Sequence, residues 1–374
     1  MLLHKRALRR ECLLLLAILT WSAAFCQVLP GSSDAAQSVS SPDVQRLLTM
    51  AEAGDVRSQV KLARAYQSGA GTDPDEIKAF AWLGKAAATG DAQAENELGV
   101  AYRAGSGVGR SKEEAVTWYR KSAKQGYAPA LYNLGVAFYN GDGVQPSYKN
   151  AFAWFMLASD AGSSKAAEAI QQVTGELRPA DLQAAKLQIG EFYESGAEIP
   201  QDYLRALRWF RVLADEGYPT AQLKLAVMYA RGLGVAQDDV EAAKWSQRAA
   251  IQKFAPALFF LGTLFESGKG VPQDLVTALE CYVKAAGTTY PAAFTYLGTL
   301  YETGKIVRQN DADAYLYFFM ANQQSEPGGA EGMQRLEGKL SPKQIQSTRK
   351  RAIKWWRERP KWSRKWAEKQ IART

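Results

Sequence analysis

Apolar and small residues recur along this chain at helical spacing, and the helical segments themselves recur at a longer, fixed period. In Leu131-Tyr132-Asn133-Leu134-Gly135-Val136-Ala137-Phe138-Tyr139-Asn140-Gly141, Leu134 and Phe138 lie four residues apart and share one helix face. Gly135 removes a side chain from that face, so a neighbouring helix can approach closely. Gly141 can end the helix in the left-handed conformation that other residues avoid. Stepping from Leu134 by 36 residues gives one column: Leu62, Leu98, Leu134, Ile189, Leu225, Leu261 and Leu297. Every gap is 36 except the 55 between Leu134 and Ile189. The following residue is always Gly or Ala. Four residues after the first column stands an aromatic: Tyr66, Tyr102, Phe138, Tyr193, Tyr229, Phe265 and Tyr301. Three further on stands a glycine: Gly69, Gly105, Gly141, Gly196, Gly232, Gly268 and Gly304.

The second half of each period is as regular. Asp75, Ser111, Ser147, Asp202, Asp238, Asp274 and Asn310 share a column of residues suited to cap a helix N-terminus. Alanine follows at Ala79, Ala115, Ala151, Ala206, Ala242, Ala278 and Ala314. Three residues later come Trp82, Trp118, Trp154, Trp209 and Trp245, then Cys281 and Tyr317. Each repeat is therefore helix A, a glycine turn, helix B and a short link. A lone pair of short amphipathic helices cannot bury its apolar face, whereas stacked pairs can. Small residues in helix A against large ones in helix B predict interlocking between successive pairs. The pattern predicts an all-α, right-handed superhelical solenoid of about seven helix-turn-helix repeats, with a long concave face built mainly by the A helices.

The long gap holds an insert that recurs. Residues 167–183 align without gaps with residues 330–346, and seven of the seventeen positions are identical. This divides the array into two sub-arrays, each closed by the same helix-Pro-helix capping element. The expected layout is repeats one to three over 42–162, an insert over 163–181, repeats four to seven over 182–325, a cap over 326–356 and a tail over 357–374.

These columns resemble the SEL-one-like repeat (SLR), a relative of the tetratricopeptide repeat. Ala94, Leu98-Gly99, Tyr102, Gly105, Gly107-Val108, Ala115, Trp118 and Gly126 match its pattern within one repeat. The resemblance covers roughly residues 58–325, and departs at Gly196-Ala197-Glu198-Ile199, at Cys281 and at Lys305-Ile306. It implies a non-enzymatic interaction scaffold or regulator that docks a protein or peptide along the concave face. By tetratricopeptide geometry, the exposed A-helix positions include Tyr132, Tyr139, Asn140, Glu194, Phe259, Glu266 and Glu302. The three glutamates share one column in the second sub-array, an acidic strip able to receive a basic peptide.

Composition narrows the chemistry. Residues 1–26 carry a basic start, a short apolar core at Leu13–Leu19 and small residues near Ala24, as an export signal does. The expected location is the periplasm or envelope of a Gram-negative-type bacterium, with an uncleaved membrane anchor as the alternative. Residues 27–41 read as a flexible leader. Cleavage would remove Cys12, Cys26 and the single histidine, His4, leaving Cys281 alone. An internal disulfide, histidine-based catalysis and a histidine or cysteine zinc site are then excluded, and no cofactor or metal is expected.

The net charge of +8 is uneven. Residues 349–374 hold eleven Lys/Arg and two Glu, residues 1–26 hold four and one, and the stretch between is left at −4. In the basic tail, Trp362, Arg364, Lys365 and Trp366 suit an anionic membrane surface or an envelope polymer. Export argues against nucleic acid. The glycine turns Gly105-Ser106-Gly107, Gly141-Asp142-Gly143 and Gly268-Lys269-Gly270 read as helix ends, because a phosphate loop follows a strand and these follow a helix. The tryptophan column reads as core and Cys281 as a buried, unreactive thiol.

Overall fold

The computed structural model describes residues 41–358 and 369–371; the expected export signal and the rest of the tail lie outside them. The described chain is all α, eighteen helices in sequence. A leading helix α1 (Pro42–Glu52) precedes three helix pairs: α2 (Val56–Ser68) with α3 (Glu76–Ala88), α4 (Ala92–Ala104) with α5 (Lys112–Ala123), and α6 (Ala128–Asn140) with α7 (Tyr148–Asp160). The insert supplies α8 (Ala166–Thr174) and α9 (Pro179–Ser195). Then come α10 (Tyr203–Asp215), α11 (Pro219–Arg231) with α12 (Asp239–Ile251), α13 (Ala255–Ser267) with α14 (Leu275–Gly287), and α15 (Pro291–Thr303) with α16 (Asp311–Asn322). The series closes with α17 (Gly329–Glu337) and α18 (Pro342–Glu358).

The chain divides into two compact bodies, Met1–Gln201 and Asp202–Thr374. In the first, each B helix packs on its own A helix and on the next one, α1 lies on α2, and α8 and α9 lie on α7. In the second, the pairs formed by α11 to α16 stack the same way from α10, and α17 and α18 lie on α16. This is an all-α solenoid, as the period predicts.

The local reasons are those expected. All seven predicted N-caps accept a hydrogen bond from the first turn of their B helix, such as Asp75 from the Lys78 N–H and Asn310 from Ala312 and Asp313. All seven column glycines end their A helix in the left-handed conformation; Gly141, at φ 75, donates its N–H to the Ala137 carbonyl. The next glycine of the turn has a different task. A Cβ on Gly234 would come within 2.5 Å of the Tyr203 backbone, and one on Gly107, Gly143 or Gly270 would overlap the carbonyl opening the previous B helix. The turns therefore dock backbone to backbone on the preceding repeat. Ser41 takes the same place before repeat one, its N–H donating to the Gly71 carbonyl at 2.7 Å.

The expectation of interlocking between successive pairs needs correction. The glycine of helix A is filled by its own B helix, and by the residue after the tryptophan column. A Cβ on Gly99, Gly262 or Gly298 would lie 2.5, 2.6 and 2.8 Å from Tyr119, Tyr282 and Phe318, and one on Gly135 closer still to Phe155. Leu83, Tyr119, Phe155, Phe210, Ser246, Tyr282 and Phe318 form this column, none more than 1% exposed. Burying one such aromatic side chain stabilises by about 2–3 kcal/mol. The tryptophans are less uniform. Trp154 and Trp245 are buried, while Trp118 and Trp209 are half-buried. Cations lie over several of the rings: Lys85 over Trp82 at 3.8 Å, Lys121 over Trp118 at 3.7 Å. Cys281 is buried, and burial pushes its thiol up to about 11, so it stays protonated and inert.

The two capping elements match in shape. α8 and α17 have nine residues each, α9 and α18 seventeen. α9 runs unbroken from the insert into helix A of repeat four, burying Ile189 and Tyr193. α18 buries Ala352 and Trp355 at the places matching Ile189 and Phe192, and Phe294 packs on Trp355 and Trp356 at 5.5 and 5.8 Å. Arg349 donates to the Tyr315 hydroxyl at 2.7 Å, and Arg351 pairs with Asp313 at 2.6 Å, fixing α18 on α16. Residues 369–371 return to the turn of repeat seven. Ile371 bridges antiparallel to the fully buried Val307, and the Arg308 N–H donates to the Gln370 carbonyl at 3.0 Å.

Candidate functional site

The candidate partner positions fall in two groups, one in each body. In the first body, Tyr132, Tyr139 and Asn140 share α6. Tyr132 is half-buried with its ring 5.4 Å from Phe155, and burial raises its phenol above the usual range. Tyr139 is buried; its hydroxyl accepts from Gln172 Nε2 at 3.1 Å and its ring lies 5.3 Å from Tyr148. Asn140 is half-buried at the end of the helix. Nearby, Asn133 Nδ2 donates to the buried Asn96 Oδ1 at 2.9 Å, and Arg64 Nε donates to Glu97 at 3.0 Å. Glu194 stands half-buried at the end of α9, where its carbonyl accepts from Gln201 Nε2 at 2.8 Å.

In the second body, Phe259 and Glu266 belong to one assembly. Phe259 is half-buried between Tyr282, Tyr290 and Tyr296, with ring centroids 5.4, 5.7 and 5.5 Å away. Tyr282 and Tyr296 turn their hydroxyls to Glu266, donating at 2.7 and 2.5 Å, and Lys305 Nζ donates at 2.9 Å. Glu302 is held apart from this cluster by Arg335, which donates to both carboxylate oxygens at 3.1 and 2.8 Å. Glu266 and Glu302, both in the expected acidic strip, thus carry intramolecular cations. The tail positions Trp362, Arg364, Lys365 and Trp366 lie outside the described residues.

The electrostatics follow from these contacts. Burial alone would raise the Glu266 carboxyl. The three donors outweigh it, and the net shift is downward. Tyr282 and Tyr296 are pushed up, by burial first and then by the carboxylate they serve. A carboxyl depressed on folding stabilises the fold above its unfolded value, and that contribution disappears as pH falls through the folded value. Glu266→Gln is therefore expected to lower the urea midpoint near neutral pH and to converge with wild type below pH 4.5, the ordinary glutamate value. A gap that persists undiminished in strong acid would mean that the charge on Glu266 does not matter.

In the first body the same repeat positions hold Arg103, Tyr119, Asn133 and Asp142, with the charges exchanged. There Asp142 pairs with Lys112 at 2.6 Å, and burial pushes the Tyr119 phenol up to about 12, its hydroxyl without a hydrogen-bond partner among the described residues. Sequence reading missed Tyr282, Tyr296 and Lys305. Their columns are variable, and only the fold brings them to a carboxylate 16, 30 and 39 residues away.

Among the described residues, no group of three or more His, Cys, Asp and Glu is placed to hold a metal ion. No helix among them is long and apolar enough to cross a membrane.

The Sel1 repeat family model matches seven segments of the chain: 56–91, 92–127, 128–163, 183–218, 219–254, 255–286 and 292–325. No curated protein matches the chain. Among solved structures, a Sel1 repeat protein from Oxalobacter formigenes is 24% identical, with a TM-score of 0.39, over 71% of this chain and 96% of its own. A protective antigen with an SLR fold, present in uropathogenic Escherichia coli strains, is 22% identical with a TM-score of 0.33, over 86% and 98%. An immunity protein from Pseudomonas aeruginosa is 18% identical with a TM-score of 0.32, over 62% and 81%.

Proposed function

This chain belongs to the Sel1 repeat family, whose members are generally protein-interaction scaffolds, and on that premise we propose that it captures a protein partner on its A-helix surface in the periplasm or cell envelope. The work is binding, without bond chemistry. One observation carries the reading. Tyr132 and Phe259 stand on A helices outside the repeated columns, and both remain half-buried with neighbouring rings against them. Rigid aromatic side chains held by neighbouring rings make effective contact anchors, because little conformational freedom is left to lose on binding. The basic, apolar and small-residue run of residues 1–26 supports export.

Affinity capture from intact envelopes tests this. The wild-type chain should retain a defined partner, and Phe259→Ala or Tyr132→Ala should reduce its recovery at least about tenfold, as loss of an aromatic hot spot does. Identical recovery with both variants would remove the A-helix surface as the binding site. Amino-terminal sequencing of the envelope-derived protein tests export; an intact Met1 would exclude cleavage.

A further inference from the structure

Along the turn edge of the second body, the ends of α11, α13 and α15 meet the first residues of α12 and α14 around a groove of about 720 Å³. That is the size of a pocket able to hold several side chains or a small ligand, roughly 300–1,000 Å³. Part of its wall is apolar, formed by Phe260, Leu264, Leu275 and Ile306. Ile306 stands where earlier repeats have the docking glycine, and its side chain is buried.

The charges in the wall are unequal in availability. Glu266 is the principal carboxylate, and its two oxygens are already occupied by Tyr282, Tyr296 and Lys305. Asp239, the first residue of α12, has one carboxylate oxygen buried without a hydrogen-bond partner among the described residues, and the positive end of the helix dipole offsets its charge. Arg231 and Lys269 are exposed, and their side chains make no ion pair or hydrogen bond with any described residue. The groove therefore offers two uncommitted cations above an apolar floor, the opposite sign from the acidic strip expected in this body. The chain's own tail is an unsuitable occupant, since residues 349–374 hold eleven Lys/Arg against two Glu.

We propose that this groove receives an acidic, extended peptide segment of the partner. Its carboxylates would sit against Arg231 and Lys269, and an apolar side chain between them would rest on Phe260, Leu264 and Leu275. Charge-assisted contacts of this kind set sign and register, and the apolar contact resists salt. The inference rests on the scaffold reading and names the chemistry of the bound segment.

Fluorescence anisotropy on the full-length protein tests it with three short labelled peptides: glutamate alternating with leucine, lysine alternating with leucine, and glutamate alternating with serine. The glutamate–leucine peptide should bind, and the other two should bind at least about tenfold more weakly. Arg231→Glu with Lys269→Glu should cost the glutamate–leucine peptide at least about tenfold at low salt. The thermal transition should be unchanged, since both side chains are exposed and unpaired. Equal or better binding of the lysine peptide would overturn the proposal, and so would equal binding of the serine peptide or an unaltered affinity in the double variant. Binding to anionic vesicles without affinity for the peptide would overturn it as well. The scaffold reading fails separately: if the double variant loses no affinity while Phe259→Ala still loses the envelope partner, the groove is misassigned and the scaffold stands.

Discussion

Gly270→Ala is expected to destabilise the second body by about 3 kcal/mol, while Gly268→Ala, two residues away in the same turn, costs only about 1 kcal/mol. Both glycines have positive φ, +67 and +70, so both alanines incur the left-handed backbone penalty of roughly 1–2 kcal/mol. The difference lies in what a Cβ would meet. At Gly268 the nearest atom is Gln273 Cβ at 3.3 Å, a contact that yields by a small shift. At Gly270 the Cβ would overlap the Asp239 carbonyl at the start of α12, and backbone cannot step aside without moving a helix. Overpacking of that kind adds about 1–3 kcal/mol. Urea unfolding followed by far-ultraviolet circular dichroism and by tryptophan fluorescence measures both variants. Hydrogen exchange should place the loss in α12 to α14 first, because each repeat contacts only its neighbours. Equal losses for the two variants would mean that the turns do not dock on the preceding repeat.

The period, the caps and the glycine ends were legible because each is fixed by local backbone chemistry. An N-cap needs an oxygen on a short side chain, and a left-handed helix end needs glycine; these choices survive in every repeat from Asp75 to Asn310 and from Gly69 to Gly304. The true partner of the helix-A glycine was harder to see. Tryptophan repeats as a letter, whereas the residue after it appears as Leu, Tyr, Phe, Phe, Ser, Tyr and Phe. That column shares a place in the packing and no identity, so matching letters overlooks it.

The site was less legible than the fold for a related reason. Glu266 and Glu302 stand in one column at exposed-helix spacing, and the column alone implies a strip of free charge. Their partners come from elsewhere in the chain: Lys305 from a turn and Arg335 from the capping element, 39 and 33 residues on. The positions recur but their residue types do not: where the second body pairs Glu302 with Arg335, the first has Tyr139 with Gln172. A departure from the repeat does mark one of them, since Lys305-Ile306 replaces the usual turn at the point where the chain neutralises Glu266. Breaks in the pattern were better guides to charge placement than the pattern itself.

The pairing of small and large residues inside each repeat makes a prediction that no single substitution can test. Gly135→Ala pushes a Cβ into the Phe155 ring and should cost about 2 kcal/mol. Phe155→Leu removes part of a side chain that is 1% exposed and should cost about 1–2 kcal/mol. The double variant reproduces the combination found in repeat one, where Ala63 and the fully buried Leu83 occupy the same two positions. It should therefore be more stable than the sum of the single changes implies, with a coupling of about 1–2 kcal/mol. Repeat five reaches the same compromise with Ala226 and Ser246, both buried. Urea unfolding of the four proteins closes the cycle. Strict additivity would mean that the two columns do not set each other's size, and that the alternation of glycine with alanine along the array has another cause. A positive coupling would make helix-A residue and helix-B ring a single unit of volume, free to vary in identity only together.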